Sequence, residues 1–208
     1  MSTQTVPARR QALAWLAALT VLPILARAQT APGQPAPDFR LKDLDGRDFA
    51  LADLRGKYVV LEWNNPHCPF VKKHYGSGNL PGLQKRYTAQ GVAWLLVNST
   101  AAAHPEHMDA RELAAWLGQQ GARPTALLLD EAGRVGRAYG AKTTPQMVVI
   151  DPHGTLIYHG AIDDRRGTDP AELAGARNYV AQALDEARSG KPVSTPSTPP
   201  YGCSVKYL

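Results

Sequence analysis

The chain has 208 residues, 44% of hydrophobic types and 20% charged, with 23 Lys and Arg against 18 Asp and Glu for a formal charge of +5. That is long enough for one domain with its own core. It lacks the basic excess that nucleic acid or an anionic membrane would demand.

The first residues carry an address. Arg9 and Arg10 precede Ala12–Leu25, a mostly apolar stretch of 14 residues, and Ala26-Arg27-Ala28 gives a small-x-small pattern before Gln29. A basic start, a short apolar run and such a site read as a secretory signal peptide over residues 1–28, too short to span a bilayer comfortably. The expectation is a periplasmic or secreted protein, free of the membrane once the signal is removed. The paired arginines leave the export route open. Cleavage after Ala28 leaves 180 residues with 20 basic and 18 acidic side chains, a charge of +2. In an exporting compartment two cysteines can serve as a disulfide, a catalytic pair or metal ligands.

Residues 29–37 are rich in Pro, Ala and Gln and read as a flexible leader. Phe39–Leu41 and Asp48–Leu51 are short strand candidates around the turn dipeptide Asp45-Gly46. Lys57–Trp63 is a β-branched and aromatic run, predicted as a central strand. Pro69 suits the first position of a helix, where its fixed φ and missing N–H do no harm; after Gly76-Ser77-Gly78-Asn79, helical spacing resumes over Leu80–Ala89. Val92–Ser99 is a second buried strand, Met108–Gln120 a helix, Thr125–Asp130 a third strand, and a short helix runs to Tyr139. Gln146–Asp151 and Thr155–Gly160 make a hairpin through Pro152-His153-Gly154. Pro170–Ser189 reads as one long helix with Leu173, Ala176, Tyr179, Val180, Ala183 and Leu184 on its apolar face. From Lys191 the chain turns to Pro, Ser and Thr and is expected to lose regular structure. The order βαβαβ, then a hairpin and a closing helix, implies an α/β domain with a central mixed β-sheet flanked by helices.

Cys68 is one of only two cysteines and lies between the Lys57–Trp63 strand and the helix opened by Pro69. At a strand-to-helix turn, backbone N–H groups and the helix dipole favour an anion. The thiolate is the reactive form of cysteine, so thiol chemistry is the leading expectation.

Five segments carry a family resemblance: Glu62–Tyr75, Gly121–Thr125, Tyr139–Pro145, Gly160–Asp164 and Tyr201–Tyr207. The chain resembles the thioredoxin-like superfamily and, within it, the peroxiredoxin-like redoxin group (alkyl hydroperoxide reductase/thiol-specific antioxidant type). The resemblance implies a thioredoxin-like domain over 38–190, with an N-terminal β extension and a flexible Pro/Ser/Thr-rich tail, 191–208, carrying Cys203. It also implies that Pro145, after Thr144, is the cis-proline opposite the redox cysteine that helps bind extended substrate backbone. Two departures stand out. Where relatives have Cys-x-x-Cys this chain has Asn65-Pro66-His67-Cys68, and where peroxiredoxins have Pro-x-x-x-Thr-x-x-Cys it has Leu61 and Asn65.

Cys68 is therefore the candidate nucleophile, with Cys203 as resolving thiol; a permanent disulfide, intermolecular pairing and metal binding remain open for Cys203. The 13 positions from Gly190 to Cys203 can extend about 40 Å at roughly 3.3 Å per residue, and tethering raises the local concentration of the second thiol. Asn65 could donate to a thiolate or a peroxide oxygen, and His67 and Lys72 could add positive potential. The bland readings are a turn residue, a spectator histidine and a solvated lysine. Glu62 is expected at a partly exposed strand end, with a proton-relay role if buried, and Asp163-Asp164-Arg165-Arg166 as a solvated loop. No cofactor and no metal site is expected. The main reading is an exported peroxidase-like antioxidant, in which a peroxide converts Cys68 to a sulfenic acid that Cys203 captures and an external thiol reductant restores. The alternatives are thiol–disulfide exchange on exported proteins and a non-enzymatic copper-handling or interaction protein.

Overall fold

The computed structural model describes Met1, Ser2 and residues 30–208; the rest of the expected signal peptide, and Gln29, lie outside the described residues. The strands are β1 Arg40–Asp43, β2 Asp48–Ala50, β3 Val59–Trp63, β4 Ala93–Asn98, β5 Ala126–Leu129, β6 Thr143–Thr144, β7 Gln146–Ile150, β8 Leu156–Gly160 and β9 Cys203–Ser204. The α-helices are α1 Pro69–Gly76, α2 Asn79–Thr88, α3 Ala110–Gln119, α4 Arg134–Ala138 and α5 Tyr179–Arg188. Seven strands form one sheet in the order β2-β1-β5-β4-β3-β7-β8. β3, β4 and β5 run parallel at its centre, and β7, β8 and the β1–β2 hairpin are antiparallel. This is the thioredoxin-like mixed sheet the sequence predicts.

Both faces of the sheet are covered, so β3 and β4 are buried end to end, as parallel strands usually are. Their alternation sorts the core into two halves. Val60, Trp94 and Leu96 face α1, α2, α3 and α5, while Val59, Leu61, Trp63, Leu95 and Val97 face α4 and the N-terminal segment. Glu62 lies between Leu61 and Trp63 on the strand and so faces the first half with Val60. A carboxylate is thus carried into the core beneath α1.

Three expectations need correction. Pro170–Ser189 is not one helix: Pro170–Leu173 is a single 3-10 turn, Gly175 takes φ +75°, and α5 restarts at Tyr179 under Asn178, whose side chain accepts from the Ala181 N–H. The apolar spacing ran unbroken through a glycine that leaves the helical region.

The leader and the tail are not free segments either. Gly33 N–H donates to Leu156 O, and Leu156 N–H donates back to Gln34 O at the start of β8. At its other end His159 N–H donates to Pro196 O, and Thr198 N–H donates to His159 O. Proline-rich chain suits this place, because a sheet edge asks for only every other backbone group, and the two segments together cover the outer edge of β8. The tail then continues to β9, which pairs antiparallel with β6.

Candidate functional site

The turn between β3 and α1 sets Cys68 at the N-cap of α1, with extended φ −69° and ψ 125° and Pro69 in the first helical position. The turn is held from within. Asn65 Oδ1 accepts from the His67 N–H at 2.9 Å, Cys68 N–H donates to Asn65 O at 3.0 Å, and Lys72 N–H donates to Cys68 O at 2.9 Å to open the helix. Across from it the Thr144–Pro145 peptide is cis, as expected. Cys68 Sγ–H donates to Thr144 O at 3.0 Å, and only 2% of Cys68 is exposed.

Cys203 meets this same point from the other side. It stands opposite Thr144 in the β6–β9 pair, and both cysteines are free thiols. Burial pushes the Cys203 thiol up to about 12, and the neighbouring Cys68 adds to the rise through a hydrogen bond and its charge. The residue before it must be glycine. Gly202 has φ +131°, and a Cβ there would lie 2.0 Å from Thr144 O. The second thiol, expected on a loose tether, is instead fixed in a strand against the cis-proline loop.

The supporting residues divide. Thr144 and Pro145 are buried beside Cys68, whereas His67 and Lys72 are exposed. Asn65 is buried but engaged, since its Nδ2 donates to Glu106 Oε2 at 2.6 Å. Its amide is therefore committed to the turn and to Glu106 rather than aimed at the sulfur. Glu106 in turn pairs with Lys206 at 3.6 Å. Burial raises the Glu106 carboxyl, but Asn65, Lys206 and His104 more than offset this and hold it below its ordinary value. Glu106 and Lys206 had no motif to mark them.

Two polar clusters are buried in the fold, and both overturn sequence expectations. Glu62 is fully buried, not half-exposed. Its Oε1 accepts from Tyr75 Oη (2.7 Å) and Asn64 Nδ2 (3.2 Å), and its Oε2 from Trp94 Nε1 (2.8 Å) and Gln84 Nε2 (3.3 Å). Burial raises its pKa, and these four hydrogen bonds pull back.

Asp163, expected in a solvated loop, is 2% exposed and accepts from Tyr201 Oη at 2.5 Å, while its neighbours Asp164, Arg165 and Arg166 are exposed. Burial raises its carboxyl pKa. Lys73, beside the exposed Lys72, is buried with its Nζ donating to Arg165 O, Gly167 O and Glu172 Oε2. His74 Nε2 lies 3.1 Å from Tyr201 Oη and its Nδ1 accepts from Asn79 Nδ2 at 2.8 Å, which assigns the proton to Nε2. Burial, then the charge of Lys73, holds His74 down to about 3. It is neutral, so its 3.9 Å approach to Asp163 is not an ion pair.

A pH dependence follows from His74. Between about 3 and the ordinary 6.5, the unfolded chain binds a proton that the folded chain refuses, so stability falls as pH falls through that window. Urea unfolding of the protein and of His74→Gln isolates this share. The stability difference between them should shrink by up to about 1.4 kcal/mol per pH unit as pH drops. A difference that stays flat would mean His74 titrates normally in the folded chain.

A thiol on the N-cap residue of a helix and a second thiol meeting at a cis-proline loop, on a thioredoxin-like sheet, define a redox protein of the thiol class. The chain belongs to the AhpC/TSA family, whose model matches residues 32–159, and it is a thiol oxidoreductase of the redoxin type. Among curated relatives it is 30% identical over 134 residues to "Thiol-disulfide oxidoreductase ResA" of Halalkalibacterium halodurans, covering 63% of this chain and 69% of that protein. Among solved structures, an uncharacterized conserved protein from Geobacillus kaustophilus superposes with a TM-score of 0.76 at 28% identity, over 87% of this chain and 94% of that one. A hypothetical protein from Sinorhizobium meliloti 1021 gives 0.72 at 30% identity, over 85% and 94%.

Proposed function

We propose that this protein is an exported thiol–disulfide oxidoreductase in which Cys68 attacks a disulfide and Cys203 resolves the mixed disulfide. The observation that carries this reading is the meeting of the two free thiols at Thr144 O. In the first step the Cys68 thiolate attacks one sulfur of the substrate; the substrate S–S bond breaks, a mixed disulfide forms, and the other sulfur leaves as a thiolate that takes a proton. In the second step Cys203 loses its proton and attacks Cys68 Sγ. The mixed disulfide breaks, the Cys68–Cys203 bond forms, and the substrate departs reduced by two electrons. An external thiol reductant then restores both cysteines by two further exchanges. The name of the Halalkalibacterium halodurans relative supports exchange over peroxide reduction, and so does Asn65. The residue standing in place of the peroxidatic Thr is held in another role, with Nδ2 donating to Glu106 and Oδ1 accepting from the His67 N–H. Export rests on the signal-like residues 1–28, and the substrates this implies are protein disulfides.

Stopped-flow tryptophan fluorescence decides between the two chemistries. The reduced protein should react with hydroxyethyl disulfide faster than free cysteine does at the same pH, and with hydrogen peroxide no faster than free cysteine. The reverse pattern would overturn exchange in favour of peroxide reduction.

A further inference from the structure

A buried nucleophile poses a geometric problem for an enzyme of proteins. Cys68 is 2% exposed, so no polypeptide disulfide reaches its sulfur while the surrounding chain stays in place. Its neighbours in β3, α1 and the cis-proline loop belong to the core. Residues 201–207 are a partly exposed segment held by contacts of their own. That segment lies antiparallel to β6, as an extended substrate strand would lie when pairing with the backbone of the cis-proline loop. It also presents a cysteine to Cys68.

We infer that residues 201–207 are an internal pseudo-substrate strap, and that an extended polypeptide bearing a Gly-Cys pair takes their place when the strap lifts. This deepens the disulfide-exchange reading and rests on it. The register is stated by the chain itself. Cysteine falls opposite Thr144, and the residue before it must lack a Cβ, because Thr144 O would be 2.0 Å away. The strap is pinned on both sides of Cys203. On the inner side, Tyr201 donates to Asp163 and packs edge-on against Phe70, with ring centroids 5.8 Å apart. On the outer side, Lys206 O accepts from Ala101 N–H, and Tyr207 Oη donates to Ala141 O at 2.9 Å. The Arg137 guanidinium covers the Tyr207 ring at 4.5 Å, and Arg137 also donates to Leu208 O at 2.6 Å. The inner Tyr201–Asp163 bond is buried, whereas the outer Tyr207–Ala141 bond is part-buried and the Arg137–Leu208 bond exposed, so the strap opens from its C-terminal end.

The test uses the full-length protein and two disulfides: small hydroxyethyl disulfide, and the disulfide-linked dimer of a peptide with the sequence of residues 201–207. The double variant Arg137→Ala/Tyr207→Ala removes a cation–π contact and the two hydrogen bonds that hold the strap, together with the bond from Arg137 to Ala132 O outside it. It should speed the peptide reaction by about 30–100-fold and the small-disulfide reaction much less. Replacing Gly by Ala in the peptide should slow it at least about tenfold in the same variant. Equal acceleration of both disulfides, or none for the peptide, would overturn the strap. Equal rates for the Gly and Ala peptides would overturn the register. Should the double variant fail to fold, Tyr207→Phe removes only the Ala141 bond and is expected to shift the peptide rate the same way by a smaller factor. Loss of reaction with hydroxyethyl disulfide in the unaltered protein would instead mean that the exchange chemistry itself is wrong.

Discussion

Cys203→Ser is expected to leave the first attack by Cys68 intact and to cut turnover by on the order of 10³-fold. The magnitude comes from competition. In the variant, only an external thiol at about 1 mM can release the substrate from Cys68, whereas in the parent Cys203 is tethered to the same chain and returns to Cys68 as its segment settles back onto β6. Even an effective molarity of about 1 M, far below the 10⁵–10⁸ M reached by well-oriented groups, gives Cys203 a thousandfold advantage. The mixed disulfide between Cys68 and substrate should therefore accumulate and be visible by intact-mass analysis. Resolution carries its own pH signature, because burial raises the Cys203 thiol pKa. Only its thiolate attacks, so the resolving rate should climb nearly tenfold per pH unit from neutral to beyond pH ~9, while the first attack need not follow it. Wild-type turnover from Cys203→Ser, or a resolving rate flat with pH, would remove Cys203 from that role. Cys68→Ser should lose all exchange.

The expectations that held were those set by neighbours in sequence. Pro69 opens α1 because its ring fits a helix start, and the Lys57–Trp63 run becomes the buried central strand; the cis Thr144–Pro145 peptide was implied by the family resemblance instead. What escaped depends on residues far apart. The tail looked unstructured because Pro, Ser and Thr form no element of their own. Its order comes from Tyr201 reaching Asp163 and from Tyr207 reaching Ala141 and Arg137, contacts that span 38, 66 and 70 positions. Gly202 was the one local hint, a glycine directly before a cysteine, without anything to say which carbonyl it had to clear. Asn65 was read as a donor to sulfur because it precedes Cys68 by three residues, and its true partner, Glu106, lies 41 positions on. Glu62 was legible and passed over: the alternation in β3 puts it on the same buried face as Val60.

Glu62 also carries the largest stability effect expected outside the thiols. Glu62→Ala would leave the Trp94 indole N–H and the donors on Tyr75, Gln84 and Asn64 facing an empty space, and should destabilise the fold by about 3–5 kcal/mol. Glu62→Gln keeps the volume and tests the charge. Burial raises the Glu62 pKa above 4.5, so above that value the folded chain binds a proton more readily than the unfolded one. Its contribution is complete at lower pH and is lost as pH rises through the folded value. A glutamine stands in for the protonated acid, so Glu62→Gln should match the parent protein at low pH and escape the parent's decline on the alkaline side. The substitution puts a donor where Glu62 Oε1 accepts, and Asn64 is placed to absorb it. Asn64 Nδ2 donates to that oxygen while Asn64 Oδ1 is buried with no partner, so rotating the amide by half a turn offers an acceptor to the new N–H. Denaturant unfolding across pH reads both effects at once. A Glu62→Gln curve that runs parallel to the parent at every pH would show that the Glu62 carboxyl titrates alike in the folded and unfolded chain, with its four donors balancing its burial.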